Sequence, residues 1–281
     1  MQDIKADFQP FFGGIMKTEI RSKRGSMIPC DVYEGNGRGL IVFVHGFKAE
    51  RSEGGRFTEV ALRLAEKGFN SIMMDQSGCG ESKEPYDLYC IDNSMDDITS
   101  CIEYMFDKYD IDENRMAMIG YSMGGRITSI YVNEVDKRFK TIGLWAAAIS
   151  DMDELNTFVY DRDGHSLRED AEKDGYGLYY NEFDDTYIHL SKKFYDGMFN
   201  YDCVGDMKRY DGNVIIVHGD ADITVKSEIA LNCYGNLTTE GKKKLEIISG
   251  ANHGFGLWDD HPEQSEQLVS TTCDFILECL G

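Results

Sequence analysis

The chain has 281 residues, 50 of them acidic and 29 basic, and the resulting formal charge of −21 repels phosphate backbones and anionic lipid head groups, so nucleic acid is not an expected partner. That length suits one large α/β domain or one domain with a modest insertion, 42% hydrophobic residues and only four prolines suit a globular core, and no stretch approaches the roughly 18 uninterrupted apolar residues of a membrane span. The eight cysteines are scattered, mostly through apolar segments, with no CxxC pair and no metal-ligand spacing, which reads as reduced, mainly buried thiols.

The N-terminal residues Met1 to Asp7 carry acids where a secretory leader would be basic, and no apolar run follows, so a cytoplasmic protein is expected. Residues 16–21 and 27–33 read as an opening antiparallel pair, with Gly35, Gly37 and Gly39 forming the turn before the next strand. That glycine spacing resembles a nucleotide loop, but it precedes a strand instead of joining a strand to a helix, which argues against phosphate binding. Residues 40–44, Leu-Ile-Val-Phe-Val, are a continuous apolar run, the mark of a strand buried on both faces of a parallel sheet. A helix follows over 57–67, stopped at Gly68, then a strand over 71–74, a loop over 75–82 and a helix over about 93–109. Residues 116–120 predict a strand, 123–133 a helix and 141–149 another strand. Alternation of this kind specifies an α/β fold with a doubly wound, mostly parallel sheet.

The rhythm breaks after Ser150. Residues 151–210 show no strand-helix alternation, yet this fifth of the chain holds 12 of the 33 aromatic residues and 15 of the 50 acids. The segment is too aromatic for a linker and too irregular for the sheet, so it reads as an inserted cap over the C-terminal edge of the strands. Regular structure resumes with a strand over 213–217, a helix over 226–236, a strand over 245–248 and a closing helix over 262–280. The expected organisation is a core of residues 1–150 and 211–281 with a cap subdomain at 151–210.

The chemistry starts at Gly120-Tyr-Ser-Met-Gly124. A serine with glycines two residues away on each side can occupy a sharp strand-to-helix turn, because bulkier neighbours would clash with the backbones around it. The motif alone is weak, and an N-cap serine with packing glycines would look the same. Its context, a strand running in and a helix running out, is that of a nucleophile elbow at Ser122. A serine hydroxyl needs a base to take its proton, and the base needs a carboxylate to fix its tautomer.

Five histidines follow Ser122, at 165, 189, 218, 253 and 261. His253 lies in a glycine-flanked loop just after the strand over 245–248, where its ring would project at the same sheet edge as Ser122. His165 and His189 fall in the cap, His261 begins the last helix, and His218 ends a strand and supports the loop after it. That loop, His218-Gly-Asp-Ala-Asp222, offers two aspartates; Asp222 lies deeper and is favoured as the acid, with Asp220 shaping the turn. The oxyanion of acyl transfer needs two donors. The backbone N–H of Met123, just after the nucleophile, is one, and the N–H of Phe47 in His45-Gly-Phe47 is the other. The loop Asp75 to Ser82 reads as a structural turn shaping one pocket wall.

Together, His45-Gly-Phe47, Asp75 with Gly78, Gly80 and Ser82, Gly120-Tyr-Ser-Met-Gly-Gly125, His218-Gly-Asp-Ala-Asp222 and Gly250-Ala-Asn-His253 resemble, in order, an α/β-hydrolase of the esterase, monoglyceride-lipase and serine-aminopeptidase-like group. Within that group the chain is similar to bacterial cinnamoyl or feruloyl esterases in size, in its His-Gly-Phe loop and in the position of its cap. It departs from the group in two places. Ser77-Gly-Cys-Gly80 stands where Arg-Gly-His-Gly is frequent, and the cap sequence resembles none that can be placed. The resemblance implies a serine carboxylic ester hydrolase working through an acyl-enzyme on Ser122, on hydrophobic or aromatic small-molecule esters. A small-peptide or aminoacyl hydrolase and a monoglyceride lipase are the alternatives, and a non-catalytic binding module on the same scaffold is the least expected. No cofactor and no metal is expected, because nucleophile, base and donors all come from the chain. Oligomeric state is not legible in the sequence.

Overall fold

The computed structural model describes residues 14–151, 156–181 and 184–281. The N-terminal acids read above and part of the 151–210 segment lie outside these residues. In chain order the elements are β1 (Ile15–Arg21), β2 (Met27–Tyr33), β3 (Gly39–Val44), α1 (Arg56–Ala65), β4 (Phe69–Met74), a 3-10 turn at Tyr86–Leu88, α2 (Ile91–Lys108), β5 (Met116–Tyr121), α3 (Met123–Glu134) and β6 (Thr141–Trp145). Then come α4 (Asn156–Val159), α5 (Leu167–Asp174), β7 (Tyr176–Asn181), β8 (Thr186–Ser191), α6 (Lys192–Asn200) and α7 (Cys203–Arg209). The chain closes with β9 (Asn213–Gly219), α8 (Ser227–Asn236), β10 (Lys243–Ile248) and α9 (Pro262–Leu280).

Eight strands make one sheet in the order β1-β2-β4-β3-β5-β6-β9-β10. The β1–β2 and β2–β4 pairs are antiparallel and the other pairings are parallel. In β3 the two-residue period sends Leu40, Val42 and Val44 into one core, with Ile98, Ile102, Ile127 and Ile130 of α2 and α3. Ile41 and Phe43 point into the other core, with Phe57 and Leu64 of α1 and Leu268 and Phe275 of α9. That is why the run is apolar at every position. Helix α1 buries Phe57, Val60, Ala61 and Leu64, the i, i+3, i+4, i+7 stripe of a helix lying on a sheet. From β3 the chain runs out to β4 on one side and returns to β5 on the other. The strand order therefore reverses between β3 and β5, opening a crevice beyond their C-terminal ends.

Four expectations are adjusted. Strand β4 begins two residues earlier than expected, at Phe69, because Gly68 and the polar Asn70 mask its start in the sequence. The strand expected over 141–149 ends at Trp145, because Ala146 takes a positive φ of 41° and the chain turns out of the sheet beneath Ser122, where Ala148 N donates to Ser122 O at 3.1 Å. The 151–210 segment is more regular than its sequence suggested: β7 and β8 form a separate antiparallel hairpin flanked by short helices. Finally, β10 begins two residues earlier than expected, at Lys243. It is an edge strand, and lysines at such an edge discourage pairing with another chain.

Candidate active site

Strand β5 ends at Tyr121 and α3 begins at Met123, so Ser122 forms a one-residue junction with φ 52° and ψ −117°. A non-glycine residue pays for a positive φ, and it stays there only when its surroundings fix it. Here Ser122 N donates to Trp145 O at 2.8 Å, and Ser122 O accepts from Gly125 N at 3.0 Å. A Cβ at position 120 would overlap Gly124 O and Thr128 Oγ1, and one at position 124 would overlap Val44 O and His45 O. The two glycines are thus required by close backbone approach. The Ser122 hydroxyl makes no N-cap bond to α3, and it faces the loop after β10 instead.

In that loop His253 Nε2 lies 3.0 Å from Ser122 Oγ, and its Nδ1 lies 2.7 Å from Asp222 Oδ2. With Nδ1–H donated to the carboxylate, Nε2 is left to accept the serine proton. Asp222 is buried, which disfavours its charge, but hydrogen bonds from His218 and His253 outweigh burial and hold its carboxyl well below the ordinary range. Its other oxygen accepts from Thr224 N and Val225 N, each at 2.9 Å. His218 donates Nε2–H to Val225 O at 2.8 Å and bears on Asp222 at 3.3 Å, the supporting role expected of it. Asp220 accepts from Gly250 N at 2.6 Å in an exposed turn. The remaining histidines stay away from Ser122: His165 pairs with Asp170, His189 stacks on Tyr176, and His261 precedes α9 beside Glu263.

The loop after β3 is held on both sides of Gly46. His45 donates Nδ1–H to Gly46 O at 2.8 Å and accepts at Nε2 from Gln76 N at 3.0 Å, while burial pushes its imidazole down toward the neutral form. The Gly46 carbonyl and the Phe47 N–H belong to one trans peptide and point in opposite directions. Fixing the carbonyl therefore aims the N–H. Among the described residues no group accepts from the Phe47 N–H or the Met123 N–H. On the other side of Gly46, its own N–H donates to Glu53 Oε1 at 2.5 Å. Burial pushes that carboxyl up to about 7, with the Gly46 bond and Arg56 drawing it back.

Around the Phe47 ring stand Tyr86, Tyr89, Phe158, Tyr179 and Phe194, with centroids between 4.9 and 6.1 Å away. Tyr86 and Tyr89 come from the turn after the Asp75 loop. Asp75 accepts from Arg51 N at 2.8 Å and Glu81 N at 2.9 Å, which shapes that loop from within. Phe158, Tyr179 and Phe194 come from the segment between β6 and β9. Lys48 Nζ also reaches Asp184 at 2.5 Å and Thr186 at 3.0 Å in the β7–β8 hairpin. Among the described residues no group of three or more His, Cys, Asp or Glu is placed to hold a metal ion, and no helix is long and apolar enough to cross a membrane. The cysteines are free, seven of them buried.

Comparison with known proteins bears on the fold that carries this arrangement. A family profile described as serine aminopeptidase, S33, matches residues 35–161. A protein of Bacillus subtilis (strain 168) described as AB hydrolase superfamily protein YisY is 31% identical over 98 residues, which is 35% of this chain and spans only 33% of that protein's length. Est1E from Butyrivibrio proteoclasticus, solved with ferulic acid bound, superposes with a TM-score of 0.75 at 19% identity, covering 94% of this chain and 99% of its own. A monoacylglycerol lipase from Paleococcus ferrophilus superposes with a TM-score of 0.64 at 19% identity, covering 90% and 99%. The chain has the fold of the α/β-hydrolases, and its residues 35–161 resemble the serine aminopeptidase, S33, family. Sequence reasoning singled out Ser122, Asp222, His253, Phe47 and Met123 for this site but passed over Glu53, Arg56 and Tyr121. The signal for Glu53 is a carboxylate set directly before Gly54-Gly55, seven residues past the Gly46 turn.

Proposed function

We propose that this hydrolase is a serine carboxylic ester hydrolase, and the Ser122–His253–Asp222 alignment is the observation that carries the reading. His253 Nε2 takes the Ser122 proton as Oγ bonds to the ester carbonyl carbon, while Asp222 stabilises the imidazolium that forms. The negative charge moves onto the carbonyl oxygen, where the N–H groups of Phe47 and Met123 receive it. Collapse breaks the bond to the alcohol oxygen, which leaves with the proton from His253, and the acyl group remains on Ser122. A water then gives a proton to His253, attacks the acyl carbon, and releases the carboxylic acid with Ser122 reprotonated. The aromatic ring set around Phe47 suits a hydrophobic or aromatic acyl group, with residues 151–210 acting as a cap over the site.

A fluorophosphonate probe is expected to label Ser122, and Ser122→Ala or His253→Ala to remove at least about 10³-fold of kcat with folding intact. Activity retained by Ser122→Ala overturns the reading. A panel of acetyl, feruloyl and monoacylglycerol esters and aminoacyl amides measures the substrate class. The feruloyl ester is expected to lead, and a lead by an aminoacyl amide would move the assignment to a small-peptide hydrolase.

A further inference from the structure

Glu53 and Arg56 belong to none of the motifs that mark the site, yet each side chain is only 5% exposed and each reaches a different active-site loop. Glu53 Oε1 accepts the Gly46 N–H beside the proposed oxyanion donor. Arg56 Nη1 donates at 2.6 Å to the carbonyl of Gly254, the residue after His253. The two side chains face each other at 3.6 Å, and Arg56 Nε is fastened to Glu53 O at 3.0 Å. Arg56 also lies over the ring of Tyr121, 5.1 Å from its centroid, and the Tyr121 hydroxyl donates to His253 O at 2.6 Å. One continuous chain of contacts thus runs from the His45–Gly46 peptide, through two buried ionisable side chains, to the consecutive carbonyls of His253 and Gly254.

The backbone supplies an independent sign that this placement matters. Glu53 has a φ of 50°, followed by 62° at Gly54 and 89° at Gly55. Glycine adopts such values freely, whereas glutamate does not. A side chain kept in that conformation, with its charge out of water, is retained against two costs, and such outliers concentrate where geometry serves function.

We infer that the Glu53–Arg56 pair is a positioning device that holds the oxyanion loop and the histidine loop in one register around Ser122. The inference rests on the esterase reading above. The pair touches no substrate. It acts by fixing the His45–Gly46 peptide relative to His253, so that Gly46 is held from its N–H side by Glu53 and from its carbonyl side by His45, and the Phe47 N–H that follows keeps its direction. Misaligning a donor costs most when charge has developed on the carbonyl oxygen, so the loss falls on kcat and not on KM.

The experiment measures kcat and KM on a short p-nitrophenyl ester, and the fluorophosphonate labelling rate of Ser122, for the wild type, E53A, E53Q, R56A and the E53A/R56A double variant. E53A is expected to lower kcat about 10- to 100-fold, less than the loss of a whole oxyanion donor, with KM within about twofold. E53Q keeps an oxygen that accepts the Gly46 N–H and is expected to recover most of that loss. Because the two residues act as one unit, the double variant is expected to lose no more than about threefold beyond the worse single variant. Wild-type kcat in E53A, a change in KM alone, an E53Q as impaired as E53A, or fully multiplicative losses in the double variant would each overturn the inference while leaving the esterase reading intact. A wild-type protein unlabelled at Ser122 and inert toward the ester would overturn both.

Discussion

Asp220 and Asp222 sit two residues apart in one loop, and environment alone separates their roles. The first carboxylate is in an exposed turn and accepts a single backbone N–H from Gly250. The second is buried, takes two backbone N–H groups on one oxygen, and presents the other to His253. Asp222→Asn is expected to lower kcat by about 10⁴-fold, since the amide favours the wrong imidazole tautomer and cannot stabilise the imidazolium, whereas Asp220→Asn should cost less than about tenfold. Steady-state rates of the two variants decide this, and the reverse ranking would mean that the other aspartate orients the base. Their different settings were legible in advance because depth within a loop follows strand ends that periodicity locates. Glu53 could not be read that way, since an acid before two glycines looks like an ordinary turn residue until the fold places the Gly46 N–H against it.

Among the elements, the central strands β3 and β5 were legible because burial on both faces leaves runs with no charged interruption. The β7–β8 hairpin was not. Its residues are an irregular mixture of exposed, half-buried and buried, so no clean alternation survives in the sequence. The end of β6 was missed for a different reason: Ala146 to Ile149 are as apolar as the strand before them, although they pack under Ser122 and not in the sheet. One side chain ties that stretch to the segment beyond it. Buried Arg126 on α3 donates to Ala148 O at 3.2 Å, to Ser150 O at 2.9 Å and to Met198 O of α6 at 2.9 Å. Arg126→Met keeps much of the apolar volume but leaves three carbonyls without their donor. Charged hydrogen bonds of this kind and the desolvation left by their loss suggest about 2–4 kcal/mol of destabilisation, read as a fall in Tm on the order of 5–10 °C. A melting temperature within about 1 °C of wild type would show that α6 is held by its apolar contacts alone.

For the molecule as a whole, the order of strand ends and glycine-bound motifs fixed where the chemistry could lie, but not what covers it. The proposed cap supplies Phe158, Tyr179 and Phe194 to the ring set around Phe47, and the core supplies Tyr86 and Tyr89. Phe194 and Tyr89 are buried and hold the two parts together, whereas Phe47, Phe158 and Tyr179 are only half-buried and keep surface for another apolar group. If an aromatic acyl chain binds there, Phe158→Ala and Tyr179→Ala should each lower the ratio of kcat/KM for a feruloyl over an acetyl ester by about tenfold, the scale of one lost aromatic contact. The acetyl ester does not reach these rings, so its own kcat/KM should hold within about threefold. Tyr187→Ala is the control: this ring is exposed and packs on Tyr180 in the hairpin, away from Phe47, and its loss should leave the ratio unchanged. The acids of the same segment should slow a feruloyl analogue bearing an added carboxylate, and raised salt should relieve that penalty. Equal ratios across all the cap variants would make these aromatics a structural cover and move specificity to Phe47 and the turn that carries Tyr86.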